Sequence, residues 1–137
     1  MTVSDSVVIF DAYAWVEYAL DSPKAERVAE LLESASEAIT PASVLAELKE
    51  SMLRQGIRAP VVNRILAYIK SRTTIVGIDS TVAELAGEII NFTHKRTIKN
   101  WGMLDSFVYA TAKLRRGRVL TGDPHFKQLK DVIYIDA

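Results

Sequence analysis

Val7-Val8-Ile9-Phe10-Asp11 and Arg118-Val119-Leu120-Thr121-Gly122-Asp123 decide how this chain folds. Each is a short apolar run that ends on an acid. Continuous apolar runs of this length, rich in β-branched residues, fit strands buried on both faces. Similar runs recur at residues 38–40, 75–78 and 132–135, with helical patterns between them. Strands alternating with helices imply an α/β chain with a central parallel sheet covered on both faces. Ligands in such sheets bind just beyond the carboxyl ends of the strands, where Asp11 and Asp123 fall.

The helices between these runs carry two more acids. Ser22-Pro23 predicts an N-cap followed by proline at the first helical position, ahead of the stripe Ala25, Val28, Ala29, Leu31 and Leu32. Thr40-Pro41 predicts the same device. Beyond it Val44, Leu45, Leu48 and Met52 line one face, which puts Glu47 in the second turn beside the apolar stripe. Gly56 is placed to end that helix, and a further helix is expected over 59–71. Asp79-Ser80 starts a long one through Val82, Leu85, Ala86, Ile89, Ile90 and Thr93. In the segment 103–116, Leu104, Phe107, Val108, Thr111 and Leu114 recur at helical spacing, so Asp105 lies in the first turn and Gly117 stops the helix. A crossover helix returns antiparallel to the strands and therefore begins at their carboxyl edge, which carries Asp105 towards Asp123.

At 137 residues the chain suits one domain spanning 1–137, with 49% hydrophobic and 25% charged residues, ordinary globular values. It has no cysteine and two histidines, which excludes disulfides, thiolate zinc sites and cysteine nucleophiles. A metal here must be held by oxygen. No stretch approaches the length of a membrane span, and the first residues carry Asp5 without a basic leader, so a cytoplasmic location is expected.

Net charge is zero but unevenly spread. Residues 95–130 hold nine basic side chains and two acids, and those two acids are Asp105 and Asp123. Either this is a solvated basic surface or it is a face for a polyanion. Lys95, Arg96, Lys99, Arg115, Arg116 and Lys127 are the candidates for such a rim.

Each acid also has a purely structural reading. Asp11 suits a helix cap, Asp105 a favourable helix dipole, Asp123 a Gly-Asp-Pro turn, and Glu47 a solvated helix edge. The functional reading rests on all of them together. Carboxylates gathered at one place raise one another's pKa unless a cation neutralises them. Mg²⁺ or Mn²⁺ suits such oxygen donors and can activate water against a phosphodiester.

The motifs VVIFDAYAWVEY, TPASVLAEL, GMLDSFVYATA and RVLTGDPHF resemble, in that order and spacing, the PIN-domain nucleases, and among them VapC-type toxins. That resemblance covers nearly the whole chain. It implies a three-layer α/β/α sandwich, a metal-dependent endoribonuclease, and a pocket in which Asp11, Glu47, Asp105 and Asp123 are catalytic and bind Mg²⁺ or Mn²⁺. Thr121 matches the hydroxyl residue two places before the last acid. The implied partners are RNA, a VapB-like antitoxin and a second copy of the chain, with no membrane. Relatives often carry Ser, Thr or Asn two places after the first acid, whereas this chain has Tyr13. Tyr13, Trp15 and Tyr18 are either core or anchors for the antitoxin, and Trp101 either packs a loop or meets a base. A PIN nuclease of RNA processing without an antitoxin, and a non-catalytic α/β domain, are the alternatives. A phosphoacceptor receiver fits less well, since the first strand supplies one acid rather than an adjacent pair.

Overall fold

A computed structural model describes residues 6–94 and 98–136. Five parallel strands form one sheet in the order β3-β2-β1-β4-β5. They are β1 (Val7–Phe10), β2 (Glu37–Pro41), β3 (Thr74–Val76), β4 (Arg118–Thr121) and β5 (Val132–Tyr134). Six helices connect them: α1 (Ala12–Ala19), α2 (Ala25–Ser34), α3 (Ala42–Arg54), α4 (Ala59–Arg72), α5 (Ser80–Ile89) and α6 (Met103–Arg115). The result is the three-layer α/β/α sandwich.

β1 lies at the centre because its residues have no polar demand on either face. Val8, Ile9 and Phe10 are fully buried, and Ile9 sits in register with Ile39 of β2 on one side and Val119 of β4 on the other. The chain winds outwards from β1 to β3, then returns to the other flank of β1 with β4. That reversal opens a crevice between the carboxyl ends of β1 and β4.

Trp15 belongs to the core. It stacks on Phe10 at 5.1 Å between ring centres, and its indole N–H donates to Thr40 Oγ1 at 3.2 Å. Thr40 is itself buried and shares a 2.8 Å hydrogen bond with Thr73 Oγ1. This corrects the expected role of Thr40-Pro41. Pro41 ends β2 and is the N-cap residue of α3, while Thr40 ties two strand ends and a helix together. Ser22-Pro23 likewise forms a turn, with α2 beginning at Ala25 after Lys24. Asp79 does cap α5, accepting from the Val82 amide at 2.9 Å. α5 then continues as a π-helical turn over Ile90–His94.

Two glycines matter by close approach. Gly117 stands just past the end of α6, as its sequence position predicts, and the left-handed residue there is Arg116, with φ 54°. Gly117 follows because a Cβ would lie 2.8 Å from both Ile9 Cδ1 and the Val7 carbonyl oxygen. At Gly122 a Cβ would run into the Tyr13 ring and lie 2.6 Å from the Ile135 carbonyl oxygen. Among the described residues no helix is long and apolar enough to cross a membrane.

Candidate metal centre

β1 delivers Asp11 one residue past its end, and β4 delivers Thr121, Gly122 and Asp123 beside it. Asp11 is the N-cap residue of α1 but makes no side-chain capping bond. Its Oδ2 accepts instead from the Thr121 hydroxyl at 2.8 Å, and Thr121 Oγ1 accepts in turn from the Asp123 amide at 3.0 Å. The fully buried Thr121 thus joins the first acid to the backbone of the last.

Asp105 stands in the first turn of α6, as its sequence spacing requires. Its Oδ2 accepts from the Gly102 amide and lies within hydrogen-bonding distance of His125 Nδ1, both at 3.1 Å. His125 reaches it from a single 3-10 turn over Pro124–Phe126, which Asp123 caps by accepting from the His125 amide at 2.9 Å. His125 Nδ1 is also 3.5 Å from Asp123 Oδ1. Asp105, Asp123 and His125 each offer a ligand atom, and these atoms all lie within 4.8 Å of one another.

Glu47 projects from α3 towards the same place. It is half-buried, and among the described residues it has no hydrogen-bond or ion-pair partner. Its pKa is raised, first by burial and then by the charges of Asp105 and Asp123. Asp105 is raised by burial, with the Gly102 amide opposing and Asp123 adding to the rise. Asp11 is pushed up to about 7, chiefly by burial, with Thr121 opposing and Glu47 and Asp105 contributing. The charges of Glu47 and Asp105 thus reach Asp11, and those of Asp105 and Asp123 reach Glu47, but among the described residues the ligand atoms that converge to within 4.8 Å are those of Asp105, Asp123 and His125, without Asp11 or Glu47.

This donor set fits a hard divalent cation. Among the described residues Asp105 Oδ1 and Asp123 Oδ2 accept no hydrogen bond and Glu47 has no partner, and the acids oppose one another's ionisation. A cation of oxygen preference relieves that repulsion, and imidazole is an acceptable additional neighbour.

An aromatic cluster holds the two halves of the site at a fixed spacing. Trp101 packs on Phe126 at 4.9 Å and edge-on to Tyr109 at 6.2 Å, and its indole N–H donates to Ser106 Oγ at 2.7 Å. Trp101 is buried, so it clamps the His125 turn against α6 and is not a base-stacking surface.

The basic rim is only partly at this edge. α6 starts at Asp105 and ends at Arg115 and Arg116, ten residues or about 15 Å away along the helix. Those arginines face the opposite edge of the sheet, which overturns their place in the rim. Lys113 pairs with Asp131 at 3.0 Å, and Arg118 donates to Ser6 Oγ. Lys99 remains beside the site, lining a shallow depression with His125, Pro124 and Gln128. Lys127 follows the His125 turn and is exposed. Lys95 and Arg96 lie outside the described residues.

His125 was missed as a site residue because a lone histidine in a Gly-Asp-Pro-His turn reads as loop chemistry. Its position two places after Asp123 was the available signal. A turn that puts residue i+2 back over the side chain of residue i makes the two neighbours.

A family model described as "PIN domain" matches residues 8–132. The chain belongs to the PIN-domain family. None of the curated proteins compared with the sequence matches it. Among solved structures, this PIN domain is similar to the VapC20 toxin of Mycobacterium tuberculosis, described as cleaving the sarcin-ricin loop. That pair has a TM-score of 0.75 and 13% identity over 95% of this chain and 99% of the other. VapBC2 from Rickettsia felis, bound to a promoter DNA fragment, gives 0.74 and 16% over 94% and 97%. FitAcB from Neisseria gonorrhoeae gives 0.69 and 20% over 94% and 96%. At such identities the likeness establishes a shared fold.

Proposed function

We propose that this PIN domain is a Mg²⁺- or Mn²⁺-dependent endoribonuclease and the toxin of a VapBC-type toxin-antitoxin pair. The observation that carries the proposal is the convergence of Asp105, Asp123 and His125 in a PIN fold, with Asp11 and Glu47 near enough for their charges to act on one another and on Asp105. These four would hold the metal. When bound, the ion lowers the pKa of a water and offsets charge on the phosphoryl group.

The chain's own residues supply the rest. Thr121 fixes the Asp11 carboxylate by donating to it, and the His125 turn holds Asp123 against Asp105. Glu47, without a protein partner, is free to orient a ligand or a water. Lys99 and Lys127 provide positive charge next to the acids for the phosphates on either side of the cut.

The toxin reading draws on the neighbours, several of which are described as toxin-antitoxin complexes. An apolar groove between α1 and α4, lined by Tyr18, Val61, Ile65 and Tyr68, offers a VapB-like antitoxin a place to lie. Within it Tyr18 stacks on Tyr68 at 5.9 Å, so of the three aromatics near Asp11 it is Tyr18 that suits a partner. A homodimer and a cytoplasmic location complete the proposal.

The test is cleavage of structured RNAs by the wild type and by Asp105→Asn, with Mg²⁺, with Mn²⁺ and with EDTA. Metal-dependent cutting by the wild type alone is expected. Cleavage that persists in EDTA or in the variant contradicts the assignment. A small adjacent gene encoding a DNA-binding antitoxin supports the toxin role, and its absence favours an RNA-processing nuclease.

A further inference from the structure

Beside the acids, the Thr121-Gly122-Asp123 turn carries two lysine-tyrosine pairs that the metal chemistry does not use. Lys24 donates to the Tyr13 hydroxyl and stands 5.0 Å from the centre of that ring. Lys127 stands 6.0 Å from the centre of the Tyr134 ring. Tyr13 lies against Gly122 closely enough to exclude a side chain there, and the Tyr134 hydroxyl donates to the Gly122 carbonyl at 2.9 Å. Both rings are therefore fixed to the residue that precedes Asp123. The charges of Lys24 and Asp123 also reach the Tyr134 phenol, which places them in one neighbourhood.

Neither lysine forms an ion pair among the described residues, although the chain has as many acidic as basic side chains. Tyr13, Lys24 and Tyr134 are half-exposed, and Lys127 is exposed. Ammonium groups without a carboxylate partner beside an acidic pocket disfavour a cationic ligand and offset the repulsion that the carboxylates exert on a polyanion approaching that pocket. Phenol rings held by their own hydroxyls keep a face for stacking at little entropic cost.

We propose that Tyr13-Lys24 and Tyr134-Lys127 form a single-stranded RNA subsite flanking the cut, in which the ammonium groups contact backbone phosphates and the phenol rings stack bases. The inference rests on the ribonuclease reading of the neighbouring acids. It commits to unpaired nucleotides because a ring can stack only on a base freed from its helix.

The experiment measures binding of a fluorescent single-stranded RNA to the full chain in EDTA, where no cutting occurs, across a salt series. It is repeated with Lys24→Gln, Lys127→Gln and Tyr134→Leu, and Mn²⁺ affinity is measured on each variant. Each lysine variant is expected to weaken binding several-fold and to make the slope of log K against log salt shallower by about 0.7. Tyr134→Leu is expected to weaken binding by about fivefold or more without changing that slope. Mn²⁺ affinity should stay at the wild-type value throughout. Variants that bind RNA with wild-type affinity and slope, while the wild type still cleaves RNA, overturn the subsite and leave the nuclease standing. Loss of antitoxin binding with RNA binding intact reassigns the ledge to a protein partner and also overturns it. A wild type that neither binds nor cuts RNA brings down the ribonuclease reading first, and the subsite with it.

Discussion

The two halves of the metal centre are built differently. Asp11 is buried at 6% exposure, fixed by a hydroxyl that is itself buried, and its carboxyl is pushed up to about 7. Asp105 and Asp123 stand on a helix start and a short turn, half-exposed, and are bridged by His125. The buried half is imposed by the strand ends and stores unfavourable electrostatics. The open half is adjustable and keeps carboxylate oxygens for a ligand. A cation bound there would discharge the first and complete the second.

The largest effect expected from this contrast is on stability against pH without metal. Asp11, Glu47 and Asp105 all have folded pKa values raised above their ordinary ones. In EDTA the folded state therefore holds protons that the unfolded chain has already released between pH about 4 and 7, and stability falls as pH rises through that window. A decline of a few kcal/mol is expected by urea denaturation, and Asp11→Asn should flatten most of it. With saturating Mg²⁺ the decline should vanish, because the ion favours the ionised acids. A steeper decline in Asp11→Asn than in the wild type would contradict the buried half.

Removing the Thr121 hydroxyl comes next. Thr121→Val leaves the Asp11 carboxylate and the Asp123 amide without their shared partner and should cost about 1–3 kcal/mol, whereas Thr121→Ser should be close to neutral. Equal stability for Val and Ser would show that the hydroxyl does not join the two acids.

The open half is tested by His125→Ala, which should lower Mn²⁺ affinity by roughly tenfold to a hundredfold, the usual range for a group that orients metal ligands. His125→Asn keeps a donor near the Nδ1 position and should recover part of the loss. The effect on stability should be much smaller than at Thr121, since the His125 side chain is partly exposed. The smallest change is expected at the far edge of the sheet. Arg115→Gln with Arg116→Gln should leave RNA affinity unaltered, and a clear loss would restore those arginines to the rim.

What the sequence disclosed follows from how local each signal is. The runs at 7–10 and 118–121 are observed as strands with those bounds, because the last three residues of each are buried and an acid follows each one. Helical spacing put Asp105 in the first turn of α6 and Glu47 beside the apolar face of α3. The misreadings concern contacts between distant segments. Thr40 has the composition of a cap but spends its hydroxyl on Trp15 and Thr73, and the position of Gly117 at a helix end did not show that it makes room for Val7 and Ile9. The charge count over 95–130 could not show that a helix of about 20 Å carries Arg115 and Arg116 away from Lys99 and Lys127. Nor could a single histidine reveal that a tight turn would fold it between two acids from different elements.

Mn²⁺ titration followed by calorimetry, on the wild type and on Asp11→Asn, Glu47→Gln, Asp105→Asn and Asp123→Asn, tests the shared centre most directly. Saturable binding by the wild type and a marked loss of affinity in every one of the four variants is the predicted result. Wild-type binding that survives in any of these variants, or no binding at all, would contradict a single cage made by the four acids.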